Sequence, residues 1–245
     1  MKMRLVFILR QYFIYPLRIF ILKYFKHKND NNDNNDIYVF HHIPKTAGTT
    51  FNAFLSNNFM VFKDYRLGWS NNIPKPFNIK HFDNNVCISG HFNFSENYTV
   101  QKRYNDQLIK YNKTFKIITF LREPLELRIS LYKYLKKNNQ IDYKIEINDF
   151  ILIEKNFLAN ALNCDYSNYK EIICSYFFIG FVDDFEYSLN KLSKLLGVKH
   201  NKVSRKNVSK TKLKISNQIK ESFYKSNKLD YELYNFAKKR FITND

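Results

Sequence analysis

Glycine, proline and cysteine are scarce in this 245-residue chain, with 5, 5 and 3 copies. A glycine in so poor a background marks a special backbone position. The three cysteines, Cys87, Cys164 and Cys174, have no metal-ligand spacing. They form no disulfide framework either, and their odd number permits one disulfide at most. Cys87 and Cys174 sit in apolar runs and are expected to be buried thiols. No uninterrupted apolar stretch reaches the roughly 18–20 residues that a membrane-spanning helix needs. No small-residue cleavage site follows the N-terminal segment, which argues against a removed signal peptide. The chain also contains no internal repeat.

Hydrophobic residues make up 44% and aromatics 18%, with 24 Phe and 18 Tyr. That is enough for one buried core, and it excludes a wholly disordered chain. The net charge of +18 calls for an anionic partner, which could be a nucleotide, a nucleic acid, a sulfated glycan or a membrane surface. Lysine is common throughout and the charge is spread along the chain, so charge alone names none of these.

Residues 1–28 carry Lys2, Arg4, Arg10, Arg18, Lys23, Lys26 and Lys28 with no acid, interleaved with short apolar runs. Arg10 and Arg18 would fall inside any spanning helix. The pattern therefore reads as an in-plane, membrane-associated segment over 1–26. A degenerate signal-anchor and a soluble extension are the competing readings. Residues 27–36, HKNDNNDNND, form a polar linker with no means of packing. This places a folded domain at 37–245. Within it, strongly apolar strand candidates (37–40, 86–88, 115–121 and 177–182) alternate with helical patterns, including Thr49–Asn57, Phe150–Leu162 and a helix opened by Asp184 and closed at Gly197. Such strands separated by helices predict an α/β domain with a central parallel sheet flanked by helices.

Two strand-to-helix junctions carry the chemistry. In the first, Ile37–Phe40 leads through His41-His42-Ile43-Pro44-Lys45-Thr46-Ala47-Gly48-Thr49-Thr50 into a helix. Free backbone N–H groups and the helix dipole at such a junction hold a phosphate or sulfate. Lys45 adds a mobile cation, Thr49 and Thr50 add hydroxyls, and Gly48 permits close approach of the backbone. A nucleoside-triphosphatase loop is excluded. Its lysine follows the second glycine, whereas Lys45 precedes Gly48, and no aspartate clearly ends a later strand to hold magnesium. In the second junction, the strand 115–121 ends at Arg122-Glu123-Pro124, and Ser130 lies eight residues on, roughly two helical turns. Arg122 suits a planar grip on phosphate, with an ion pair to Glu123 or Glu126 as the plain alternative.

His42 to Thr50 resembles the 5′-phosphosulfate loop of the carbohydrate sulfotransferases, in the branch of the heparan sulfate 2-O- and chondroitin/dermatan 4-O-enzymes. Arg122 to Tyr134 is similar to that family's 3′-phosphate motif, an Arg-Asp/Glu-Pro turn followed by a serine and Tyr-x-Tyr. Two motifs in order, about 75 residues apart, are more specific than either alone. The resemblance covers about 37–241 and implies a P-loop-like sulfotransferase fold. It also implies 3′-phosphoadenosine-5′-phosphosulfate (PAPS) as co-substrate, a carbohydrate hydroxyl as acceptor, no metal and no nucleic-acid partner. Lys45, Thr46, Ala47, Gly48, Thr49 and Thr50 would hold the phosphosulfate, with Lys45 stabilising the leaving phosphate. Arg122 and Ser130 would hold the 3′-phosphate, and a basic loop with Arg205 and Lys206 would close over it. Gly90-His91 matches the Gly-His that supplies the proposed base, so His91 would deprotonate the acceptor. The heparan sulfate branch has a second histidine two residues earlier, where this chain has Ser89. The family setting implies the Golgi lumen in a eukaryote and the inner face of the cytoplasmic membrane in a bacterium. The alternative is a non-catalytic basic protein, binding glycan or nucleic acid, on a decayed sulfotransferase fold.

Overall fold

The computed structural model describes residues 14–25, 35–65, 75–92, 98–199, 213 and 215–243. Five strands form one sheet: β1 (Asp36–His41), β2 (Met60–Asp64), β3 (Val86–Gly90), β4 (Thr114–Leu121) and β5 (Phe178–Phe181). They run parallel in the order β2-β3-β1-β4-β5. On β1 the side chains alternate between faces, as a strand requires. Ile37 and Val39 pack into one apolar layer with Ile88, Ile117, Leu121, Ile179 and Phe62. Phe40 packs into the opposite layer with Cys87, Ile118, Phe120 and Phe178. A sheet buried on both faces needs strands that are largely apolar, and that property is what makes β1, β3, β4 and β5 legible.

The second layer is closed by α2 (Gly48–Asn58), through Phe51, Phe54 and Leu55, and by α8 (Phe185–Leu196), through Phe185, Leu189 and Leu192. Gly197 ends α8 in the left-handed conformation, φ 64°, which glycine adopts without steric cost. The first layer is covered by α1 (Tyr15–Phe25), α3 (Val100–Lys110), α6 (Phe157–Leu162), α7 (Tyr169–Ser175) and α10 (Lys228–Lys238). A third apolar cluster joins α4 (Pro124–Lys137), α5 (Ile147–Ile153) and α9 (Asn217–Ser226) around Phe150, Ile151 and Phe223.

Three expectations change. The helical spacing over 150–162 resolves into two helices, α5 and α6. Asn156 between them takes φ 51°, its N–H donates to Asn227 Oδ1 (2.7 Å), and Asp230 accepts the N–H groups of Leu158 (3.0 Å) and Ala159 (2.9 Å). Two residues of the C-terminal region thus cap α6 from outside it. Cys87 is buried as expected, but Cys174 is exposed. It lies on the outward side of short α7, where helical periodicity turns a residue of an apolar run to solvent.

The folded unit also reaches further toward the N-terminus than Ile37. Tyr15 and Leu22 of α1 are buried in the first layer. Tyr15 Oη accepts the N–H of Lys63 (2.9 Å), and the Arg18 guanidinium donates to the carbonyl of Val61. α1 therefore covers the exposed edge of β2, which would otherwise offer unpaired backbone groups. No helix among the described residues is long and apolar enough to cross a membrane.

Candidate functional site at the carboxyl ends of β1, β3 and β4

Helix connections leave β1 and β4 toward opposite sides of the sheet. In an open parallel sheet this switch point is where a crevice for ligands opens. β1 and β4 are hydrogen-bonded neighbours, with Phe40 opposite Ile118, and Thr119 Oγ1 ties the end of β1 by donating to the His41 carbonyl (2.8 Å). The pairing brings the Lys45 loop and Arg122 to one place despite their separation in sequence.

The loop after β1 is held tightly. Thr46 is fully buried and its hydroxyl donates to the carbonyl of Ile43 (2.8 Å). Lys45 and Ala47 both take positive φ, 69° and 62°, a conformation that side chains resist and that clusters at ligand-gripping loops. Ala47 is the N-cap of α2 and has no side chain to cap with, and the first turn holds no acid. The N-terminal N–H groups of α2 thus meet no capping side chain of their own, as an anion-binding terminus requires. Gly48 opens the helix. A β-carbon there would lie 1.8 Å from His42 Nε2, so only glycine lets the His42 ring pack on the loop. Thr50 is buried and Thr49 is exposed.

Lys45 Nζ lies 4.2 Å from the centre of the Tyr134 ring, a cation–π contact. Its pKa is lowered, first by burial and then by the charges of Arg122 and Lys137. Lys45 therefore feels the positive charge of Arg122 and Lys137, and an anion placed beside it would relieve that repulsion. Arg122 also reaches Glu126 at 3.5 Å across one helical turn, a half-exposed pair of little energetic weight. Glu123 is engaged elsewhere. Its Oε2 caps α4 by accepting the N–H of Glu126 (2.7 Å), and its Oε1 accepts from the Tyr231 hydroxyl of α10 (2.7 Å). Ser130 is half-buried on α4, one turn before Tyr134. Tyr132 points away and donates to the carbonyl of Ile145 (3.0 Å). Arg205 and Lys206 lie outside the described residues.

Three histidines meet at the ends of β1 and β3. His41 is buried. Nε2 faces the carbonyl of Phe92 (3.2 Å) and Nδ1 the hydroxyl of Tyr176 (2.7 Å). Burial pushes its pKa down to about 4. His42 bonds Tyr65 Oη through Nδ1 (3.0 Å), and burial, aided by His91, His41 and Lys45, lowers its pKa to about 3. Both are poor bases near neutral pH. His91 is half-buried beside them, its ring 4.6 Å from His42 and 4.8 Å from Tyr65. Sequence reasoning missed Tyr65, which has no motif around it. Only the parallel pairing of β2 with β3, Asp64 opposite Gly90, brings it to the site.

Asp64, the carboxylate that ends β2, is unsuited to a magnesium role. Arg103 binds it through two nitrogens (2.7 and 2.8 Å), and the Tyr104 hydroxyl donates to it (2.8 Å). Among the described residues no group of three or more His, Cys, Asp or Glu could hold a metal ion.

No protein-family model and no curated protein matches the chain. Solved structures do. A sulfotransferase from Alicyclobacillus acidocaldarius matches over 87% of this chain and 97% of its own, with a TM-score of 0.52 and 13% identity. Mouse sulfotransferase SULT7A1, solved in complex with PAP, matches over 83% of this chain and 67% of its own, with a TM-score of 0.43 and 14% identity. With its five parallel strands, its helices on both faces and a basic loop after β1, the chain has the P-loop-like α/β fold of the sulfotransferases.

Proposed function

We propose that the chain is a PAPS-dependent sulfotransferase acting on a carbohydrate hydroxyl. The observation that carries this reading is the pairing of β1 with β4, which sets the Lys45 loop and Arg122 at neighbouring strand ends, beside an α2 whose N-cap residue makes no side-chain cap. This arrangement fits a nucleotide with two separate anionic groups. The carbohydrate acceptor rests on the resemblance of the His42–Thr50 loop alone.

In this reading, the N–H groups at the start of α2 and the Thr49 and Thr50 hydroxyls take the phosphosulfate. Arg122 and Ser130 take the 3′-phosphate that separates PAPS from ordinary adenine nucleotides. The acceptor oxygen attacks sulfur, and a new S–O bond forms as the S–O bond to the 5′-phosphate breaks. The electron pair leaves on that phosphate, where the Lys45 ammonium stabilises it. The acceptor proton passes to His91, which is half-buried beside His42 and Tyr65. The products are a sulfate ester and adenosine 3′,5′-bisphosphate.

Calorimetric titration of the whole chain with adenosine 3′,5′-bisphosphate, beside 5′-AMP and ATP, tests the reading. The bisphosphate is expected to bind at least about tenfold more tightly than AMP, and Arg122→Ala to remove that preference, since a charged hydrogen bond contributes about 1.5–3 kcal/mol. Equal affinity for AMP and the bisphosphate would leave a basic binding protein on a sulfotransferase fold as the better account.

We propose also that α1 rests on an anionic membrane surface. Tyr15 and Leu22 are buried against the domain, while Leu17, Phe20 and Ile21, with Ile14 just before the helix, stay 37–59% exposed. The flanking sequence is basic and free of acid over 1–28, which complements anionic headgroups. The protein should pellet with vesicles containing phosphatidylglycerol and not with pure phosphatidylcholine, and Leu17→Ser/Phe20→Ser should release it. Pelleting that ignores lipid charge or the double substitution would refute the proposal.

A further inference from the structure

Asn52, Tyr65, Ser89 and His42 are joined by hydrogen bonds whose direction can be worked out by counting protons. Asn52 Nδ2 donates twice, to the Gly48 carbonyl (2.8 Å) and to Tyr65 Oη (3.2 Å). Asn52 Oδ1 can only accept, so the Ser89 hydroxyl donates to it (2.8 Å). That uses the one proton of Ser89. The 2.9 Å contact between Ser89 and Tyr65 therefore takes the proton of Tyr65. Tyr65 then has no proton left for His42, so the 3.0 Å contact to Nδ1 requires Nδ1–H. Asn52, Tyr65 and Ser89 thus close a ring of three bonds that run in one sense, and His42 is locked in one tautomer with Nε2 bare. Nε2 lies against Gly48, in the space a β-carbon would fill. His41 is wired the other way. A carbonyl only accepts, so Nε2 carries its proton toward Phe92 and Nδ1 accepts from Tyr176.

The His42 N–H donates to the Gly90 carbonyl (2.8 Å). With His41 opposite Gly90 in the parallel register, His42 stands beside His91. The resembled branch carries a second imidazole two residues before the base. Here Ser89 occupies that position and belongs to the ring, while an imidazole arrives from the neighbouring strand.

We infer that His42 and Tyr65 are positioning residues for His91: the ring fixes the His42 tautomer, and the His42 and Tyr65 rings together hold the His91 imidazole at the mouth of the Lys45 loop. This rests on the sulfotransferase reading for its chemistry but not for its geometry. Because Asn52 also binds the carbonyl of Gly48, the same ring ties the acceptor side of the site to the first residue of α2.

Two measurements on the whole chain test it. Long-range ¹H–¹⁵N correlation of the histidine rings, with His42 assigned through His42→Gln, is expected to show His42 as Nδ1–H and His41 as Nε2–H. An Nε2–H tautomer at His42 would overturn the inference whatever the protein's activity. Tyr65→Phe keeps the ring and removes the hydroxyl. With ³⁵S-labelled PAPS and unsulfated heparosan and chondroitin as probe acceptors, kcat is expected to fall by at least about tenfold and the acid limb of its pH profile to move, as misplacement of a reacting group does. Affinity for adenosine 3′,5′-bisphosphate should change by less than about threefold. An unchanged kcat and pH profile would sink the positioning role. Failure of the wild type to bind the bisphosphate would instead sink the sulfotransferase reading and leave the tautomer result to decide the geometry.

Discussion

Gly48→Ala sets two effects of opposite sign against each other. Among the described glycines only Gly197 has positive φ, so alanine fits the Gly48 backbone. It would gain about 0.5–1 kcal/mol from reduced chain entropy and helix preference. Against this, the new β-carbon would lie 1.8, 2.1 and 2.5 Å from Nε2, Cδ2 and Cε1 of His42, deep inside contact distance. The ring cannot slide aside cheaply. It is bonded to Tyr65, stacked on Phe40 at 5.3 Å and packed against His91. Overpacking costs about 1–3 kcal/mol, and a buried donor left without its acceptor costs about 1–3 kcal/mol more. The clash wins, for a net loss of about 1–5 kcal/mol. Urea denaturation should show it as a lower midpoint at unchanged slope, and bisphosphate affinity should fall with it. Removing the obstructing ring tests the cause. Gly48→Ala/His42→Ala should be less destabilised than the sum of the two single variants, with a coupling above about 1 kcal/mol. A Gly48→Ala protein as stable as wild type, or a double variant that is additive, would refute this account of the loop.

Three further outcomes follow from the same geometry. The lowered pKa values of His41 and His42, about 4 and about 3 against 6.5 in the unfolded chain, mean that the unfolded state takes up protons the native state refuses. Stability should therefore be intact above pH 6.5 and fall as pH drops from 6.5 toward 4, by about 3 kcal/mol or more for each at roughly 1.4 kcal/mol per pH unit; a flat stability between pH 7 and 4 would contradict it. Asp230 works in the opposite direction. Burial raises its pKa from 3.8 to about 6, so the native state holds the extra proton between those values, and Asp230→Asn should make acid denaturation steeper between pH 6 and 4. Lys45→Ala gives up a cation–π contact of about 0.5–1 kcal/mol and should leave the urea midpoint nearly unchanged, while sulfuryl transfer from PAPS to the heparosan or chondroitin probe falls by about 10²–10³; parallel losses of stability and rate would make Lys45 structural.

Four of the strands and both strand-to-helix junctions were legible because the strands are largely apolar and the two at the junctions lead into a basic residue. Ile37–Phe40 before Lys45 and Phe115–Leu121 before Arg122 announce themselves in this way. β2 was not legible. It follows α2 after the single residue Phe59, with no turn residue between them, and its alternation covers only five residues. Nor was the break after Ile153, because it is imposed by Asn227 and Asp230 from some 70 residues away. Arg122 and Arg128 look equivalent in sequence. Only the packing shows that Arg128 is buried on Glu154 (2.7 Å) and the Phe150 carbonyl (3.1 Å), while Arg122 faces the crevice side with Lys45. The hydrogen-bond ring of Asn52, Tyr65 and Ser89 could not be read at all, since its three members, and the His42 they hold, come from four separate segments and meet only through parallel register.

α10 braces parts of the molecule made long before it. Tyr231 holds Glu123 beside Arg122, Tyr234 bonds Asp183 at the exit of β5, and Asp230 caps α6. On the ribosome, where the N-terminal part emerges first, all five strands are outside before these three residues exist. A nascent chain can therefore assemble its sheet while the turn that carries Arg122 still lacks its last support. That support arrives only when synthesis has passed Tyr234, and a chain stopped short of α10 would keep strand pairing while leaving Glu123 and the turn beside it unbraced.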